Sequence, residues 1–129
     1  MTLYVDPPGF RLGRMKMCHL WSDLPDPDAA RAEIVGMLMR LGVDPRHVQE
    51  PPRVSWLHAD ICKSKRALAL RLGAKPVDRR GSAEHFARLD LASRDPARRR
   101  RGEIVLGMVQ RSRARREAGQ ADLFGEAAP

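Results

Sequence analysis

Aromatic residues are scarce in this chain, with one Tyr, three Phe and two Trp among 129 residues. A core must therefore rest on Leu, Val, Ile, Met and Ala. Stacking on nucleobases is restricted to Trp21, Trp56 and Phe86, outside the N-terminal loop and the tail. Cysteine is nearly absent. Cys18 and Cys62 are too few for a disulfide scaffold and read as small buried apolar residues. No apolar run approaches the ~20 residues of a membrane span. The start, Met1-Thr2-Leu3-Tyr4-Val5-Asp6, lacks the basic and then apolar segments of a secretory signal. The expectation is a cytoplasmic protein with free thiols and no membrane partner. Acidic residues are also in short supply: 16 Asp and Glu against 24 Lys and Arg give a net charge of +8. That balance favours a polyanionic partner, nucleic acid ahead of an anionic membrane surface.

What is present is enough for a modest core, 43% hydrophobic and 31% charged residues. Residues 2–5 and 15–21 read as strands, the first ended by Asp6-Pro7-Pro8-Gly9. Asp26-Pro27 is an N-cap with proline at the first helical position. Ala30, Ile34, Met37, Leu38 and Leu41 follow at helical spacing, and Gly42 supplies the stop. Residues 45–52 read as a loop, 54–61 as a region holding a strand, 64–72 as a second helix and Val77 as a further short strand. The methionines at 15, 17, 37 and 39 read as packing material. Ser82 would cap a third helix to Leu91, and residues 103–118 a fourth. The fold class is α/β: a small single domain with a short sheet flanked by helices over residues 1–92. An arginine-rich helical arm (93–119) and a flexible docking tail (120–129) follow.

Several polar residues fall where α/β sheets place ligands, at strand ends. Asp6 follows the first strand, His19 and Asp23 end the second, and His58 and Asp60 stand two apart, on one face of an extended segment. Converging, Asp6, His19, His58 and Asp60 would bind a divalent metal, with His19, Asp23, His58 and Asp60 as catalytic candidates. Lys63, Lys65 and Arg66 at the next helix start would hold a phosphate. The alternative is that His19 and Asp60 cap, bridge or hydrogen-bond within the fold. Eight arginines, Arg98, Arg99, Arg100, Arg101, Arg111, Arg113, Arg115 and Arg116, make the arm a candidate for sequence-tolerant contact with a DNA backbone. The alternative there is a solvated helix face.

The segments Met1–Asp6, Gly13–Leu20, Ser22-Asp23, His58-Ala59-Asp60-Ile61 and Ser64–Ala69 together resemble a bacterial and phage domain of unknown function. Members of that family begin Met-Thr-Val-Tyr-Val-Asp. The resemblance runs to about Asp78 and implies a shared fold without an assigned activity. Ala59 departs from it, since relatives often carry an aromatic there.

Gln120-Ala121-Asp122-Leu123-Phe124 resembles the peptide by which bacterial replication and repair proteins bind the DNA polymerase sliding clamp. The resemblance implies that Leu123 and Phe124 fill an apolar pocket while Gln120, with Asp122 between, fixes the register. Otherwise the Leu-Phe pair folds back on the domain. Three functions follow as expectations. One is a DNA-maintenance accessory protein docked on the clamp and contacting DNA. The second is a metal-dependent hydrolase or nuclease, and the third a non-catalytic regulator that occupies the clamp.

Overall fold

In the computed structural model, which describes residues 2–119, the chain divides after Asp78 into two units. The first is a mixed α/β unit. Its strands are β1 (Leu3–Val5), β2 (Phe10–Leu12), β3 (Met15–Ser22), β4 (Val48–Gln49), β5 (His58–Cys62) and β6 (Lys75–Pro76). Its helices are α1 (Pro27–Leu41) and α2 (Lys63–Arg71). The sheet order is β4-β5-β3-β1-β6, with β2 also on β3, and only the β1–β6 pair is parallel.

The long strand β3 organises the sheet. One edge pairs with β5; the other pairs with β2 at Met15–Met17 and with β1 at Leu20–Ser22. β1 and β2 are thus two halves of one broken edge strand. Asp6, Pro7, Pro8 and Gly9 stand opposite only Cys18 and His19, between the Val5–Leu20 and Phe10–Met17 pairs. The two prolines have no N–H for the ladder, so the edge bulges outward here. β2 returns to β3 through Gly13-Arg14, whose glycine takes φ 61° as a tight hairpin requires.

Alternation along the strands sorts two faces. Leu3, Val5, Cys18, Leu20, Val48, Ala59 and Ile61 form a buried cluster with Ile34, Met37, Leu38 and Leu41 of α1 and Ala69 of α2. The capping expected for α1 is present: Asp26 accepts from the Ala29 N–H at 3.2 Å and Gly42 closes the helix at φ 71°. By pairing register, the other sheet face carries Tyr4, Phe10, Met17, His19, Trp21, Gln49, His58, Asp60 and Cys62.

The second unit is an α-helical hairpin of α3 (Arg79–Leu91) and α4 (Pro96–Glu117). The sequence pattern predicts a last helix from 103 and a boundary at 92. Instead α4 begins at Pro96, because Asp95 caps it on the Ala97 N–H at 3.0 Å with proline at the first position. Arg98–Arg101 therefore lie in its first turns, and α3 belongs with α4. Gly102 allows the close crossing: a Cβ there would meet the Ala87 carbonyl oxygen at 2.7 Å.

Candidate metal centre

Register carries the site. His19 on β3 stands opposite Asp60 on β5, His58 lies two residues before Asp60, and Gln49 on β4 pairs with His58. Side chains at these positions share one face, so two imidazoles and one carboxylate meet. One ligand atom from each of His19, His58 and Asp60 lies within 4.8 Å of the others. The His58 Nε2–Asp60 Oδ1 separation is 3.6 Å and the His19 Nε2–Asp60 Oδ1 separation is 4.0 Å. Donors around one Zn²⁺ at bond lengths of about 2.0–2.2 Å stand roughly 3–3.5 Å apart in tetrahedral geometry. A bound ion would have to draw the three donors closer together.

Each donor residue is held by its other polar atom. His19 Nδ1 meets Asp6 Oδ2 at 2.7 Å, and Asp6 Oδ1 also accepts the His19 backbone N–H at 2.7 Å. His58 Nδ1 donates to the Trp56 carbonyl at 2.9 Å. Asp60 Oδ2 accepts from the Gln49 amide at 2.8 Å. A carbonyl can only accept, and Asp6 is a carboxylate, so both imidazoles carry hydrogen on Nδ1 and offer Nε2 lone pairs. This is the outer-shell arrangement that orients metal-binding histidines. Asp60 Oδ1, which faces both Nε2 atoms, is buried and has no hydrogen-bond partner among the described residues. A buried acceptor left so is costly unless a cation or ligand completes it.

Ring packing fixes the imidazole planes. Trp56 stacks on His58 with centroids 4.2 Å apart and an interplanar angle of 19°, while Phe10 and Trp56 lie 5.1 and 5.4 Å from His19. Burial holds the His58 pKa below its ordinary value, although its carbonyl partner and the Asp60 charge act the other way. For His19 burial also acts to lower the pKa, but the hydrogen bond and charge of Asp6, with the Asp60 charge, outweigh it and the pKa is raised. The His58 side chain is 8% exposed, whereas His19 and Asp60 are 29% and 24% exposed. Access to the donors is therefore from the His19–Asp60 side. Three protein donors leave coordination positions open, as catalytic rather than structural sites do.

Of the candidate ligands named from the sequence, His19, His58 and Asp60 converge. Asp6 stands behind His19 as its support. Asp23 lies elsewhere, accepting the Tyr4 hydroxyl at 2.7 Å. Arg66 donates from Nε to the Asp6 carbonyl at 2.7 Å and so braces the bulge, leaving Lys63 and Lys65 as the cations at the start of α2. Burial pushes the Cys18 thiol up to about 12. Cys62 departs from the buried-apolar reading: it is half-buried at the N-cap of α2, and its thiol is lowered by hydrogen bonds from the Ser64 hydroxyl and the Lys65 N–H. Gln49 and Trp56 were missed as site residues. Gln49 lay in a segment read as loop, and a two-residue strand has no periodicity to reveal it.

In the second unit the arginines are not uniformly displayed. Arg98 and Arg101 pair with Asp90 at 3.1 and 2.8 Å, Arg113 pairs with Glu84, and Arg99 Nη1 donates to the Ser93 and Arg94 carbonyls. Arg100, Arg111 and Arg115 have no carboxylate partner among the described residues. The tail residues Gln120, Asp122, Leu123 and Phe124 lie outside the described residues.

Among the described residues, no helix is long and apolar enough to cross a membrane. No curated protein and no solved structure gives a significant match to the chain. Residues 3–89 match the model of a family described as "Protein of unknown function (DUF4031)", a span that contains all of β1–β6 and the whole candidate metal centre. On that match, which covers well over half of its length, the chain is a member of the DUF4031 family.

Proposed function

We propose that the first unit is a divalent-metal-dependent hydrolase of phosphate esters. The observation that carries this reading is the convergence of His19 Nε2, His58 Nε2 and Asp60 Oδ1, each on a side chain anchored through its other polar atom. A divalent ion held there would supply Lewis acidity and lower the pKa of a water molecule. His58, kept neutral by burial, is ready to ligate at pH 7. Lys65, at the head of α2, supplies positive charge for an anionic substrate. The test is metal analysis of the purified chain after dialysis against Zn²⁺ or Mn²⁺, with 4-nitrophenyl phosphate as a monoester and bis(4-nitrophenyl) phosphate and single-stranded DNA as diesters for trial substrates. One equivalent of metal is expected, lost in His58→Ala and Asp60→Ala. A wild-type chain that retains none disproves the reading.

We further propose that the protein works in DNA maintenance, brought to the sliding clamp by Gln120–Phe124, with Arg100, Arg111 and Arg115 contacting the DNA backbone. The specific support is the Gln-Ala-Asp-Leu-Phe sequence beside a helix rich in arginine. Clamp titration with the intact chain and with Leu123→Ala/Phe124→Ala tests it, and equal affinities would remove the docking claim. A regulator that merely occupies the clamp would slow clamp-dependent synthesis, and would do so equally well after His58→Ala.

A further inference from the structure

A cavity of about 540 Å³ opens beside the candidate metal centre, lined on one side by Asp60 and Gln49. It lies wholly within the first unit, and its size is that of a small-molecule site rather than of a groove for a nucleic-acid strand. Its walls have two characters. Leu12 and Met15, the two ends of the β2–β3 turn, are 61% and 50% exposed and form one lip; Met17 and Val54 continue the apolar surface. Exposed apolar side chains grouped at the mouth of a cavity are the kind of surface that marks a ligand-binding site. Arg53 and Lys65 supply the second character. Both line the cavity, and neither pairs with a carboxylate among the described residues. Arg46 also lines it, but Asp44 binds its guanidinium at 2.9 Å. Among the described residues Asp60 is the only carboxylate in the wall, and its Oδ2 accepts from Gln49.

We propose that this cavity is the substrate site and that it takes a small phosphate monoester with an apolar body. The hydrocarbon or aromatic part lies between the β2–β3 lip and Val54, and the dianionic phosphate lies against Lys65 and Arg53. Two cations without carboxylate partners match a dianion better than a singly charged carboxylate. That the bound ester is also the molecule hydrolysed rests on the metal-centre reading above; binding in the cavity does not.

The probe is 1-naphthyl phosphate, titrated calorimetrically into the full chain, once loaded with Zn²⁺ and once stripped with EDTA. Inorganic phosphate and 1-naphthol are the comparison ligands. 1-Naphthyl phosphate is expected to bind at least tenfold more tightly than either, in both forms of the protein. Lys65→Glu and Arg53→Glu should each weaken it about tenfold. Leu12→Gln, on the exposed lip, should weaken 1-naphthyl phosphate while leaving inorganic phosphate unchanged. Val54→Trp, which adds bulk to the apolar wall, should also weaken 1-naphthyl phosphate. Equal affinity for 1-naphthyl phosphate and inorganic phosphate, or affinity indifferent to Lys65, Arg53 and Leu12, overturns the proposal. A chain that binds the ester but holds no metal keeps the cavity assignment and loses the hydrolase. A chain that holds metal and does not bind the ester does the reverse.

Discussion

Asp6 grips His19 at two points: Oδ1 accepts the backbone N–H and Oδ2 meets Nδ1, both at 2.7 Å. The edge-strand bulge makes this possible. At the bulge, the Asp6 side chain accepts a β3 N–H that a regular ladder would have given to a backbone carbonyl. The same contact sets the tautomer and the ring orientation of a metal donor. Asp6→Asn retains the size of the side chain but removes the charge. It should weaken Zn²⁺ binding by about 10- to 100-fold, the usual effect of losing such a partner, and His19→Ala should abolish measurable binding. Calorimetric Zn²⁺ titration distinguishes the two. An Asp6→Asn chain that binds like wild type would show that the Asp6–His19 contact is purely structural.

Protons and metal compete for His19. Its raised pKa means that, in the metal-free protein, the stabilisation from its protonated form is complete below the ordinary value of about 6.5 and is lost as pH rises through the raised value. His58 behaves oppositely: its lowered pKa gives a contribution present above about 6.5 and lost as pH falls through the lowered value. Metal needs both rings neutral, so Zn²⁺ affinity should climb with pH and level off only above the raised His19 pKa. Asp6→Asn should move that plateau to lower pH. NMR titration of the metal-free chain should place the His19 midpoint above the His58 midpoint, and the reverse order contradicts the assignment.

The core was legible from local chemistry, the site only in part. Asp26-Pro27, the helical spacing from Ala30 to Leu41 and Gly42 are self-contained signals, and α1 follows from them. His58 and Asp60 could be placed on one face because strand alternation is local. Their meeting with His19 depends on register between β3 and β5, which no spacing encodes. Asp6 was drawn into the ligand set because it ends a strand. Its actual place behind His19 follows from the bulge, in which four residues span the length of two. At α4, Asp95-Pro96 repeats the signal that opened α1, but the arginine run beside it read as a separate feature.

Asp90 should be the acid-sensitive point of the helical hairpin. Its side chain is 2% exposed and receives Arg101 at 2.8 and 2.9 Å and Arg98 at 3.2 Å. The Arg101 hydrogen bonds, followed by those of Arg98 and both charges, hold its carboxyl below the usual range despite some desolvation. A lowered carboxylate pKa gives stability that is present above the unfolded value of about 3.9 and lost as pH falls through the folded value. Asp90→Ala should cost about 1–3 kcal/mol at pH 7, the range for charged hydrogen bonds to a buried acceptor. The difference from wild type should begin to shrink below about pH 4, where the unfolded-state carboxylate takes up its proton, and should be smallest below the lowered folded value. Hydrogen exchange of α3 and α4 amides at pH 7 and in acid checks it. A wild-type-to-mutant gap that does not change with pH refutes the ion-pair account.

Two glycines on α4 should respond with opposite signs to the same substitution. At Gly102 a Cβ would lie 2.7 Å from the Ala87 carbonyl oxygen, 2.9 Å from the Leu91 nitrogen and 3.0 Å from the Asp90 Cβ. Two of these are backbone atoms of α3, which cannot turn aside as a side chain can. The helices must separate, so Gly102→Ala should destabilise the hairpin by about 1–3 kcal/mol, as overpacking does. At Gly107 the nearest atom to a new Cβ is the Arg111 Nη1 at 3.2 Å, the end of a flexible exposed side chain that can move. There the gain in helix propensity dominates, and Gly107→Ala should stabilise by about 0.5–1 kcal/mol. Exchange rates of α3 amides in the full-length chain report both changes. The crossing is looser than described if the two alanines act alike.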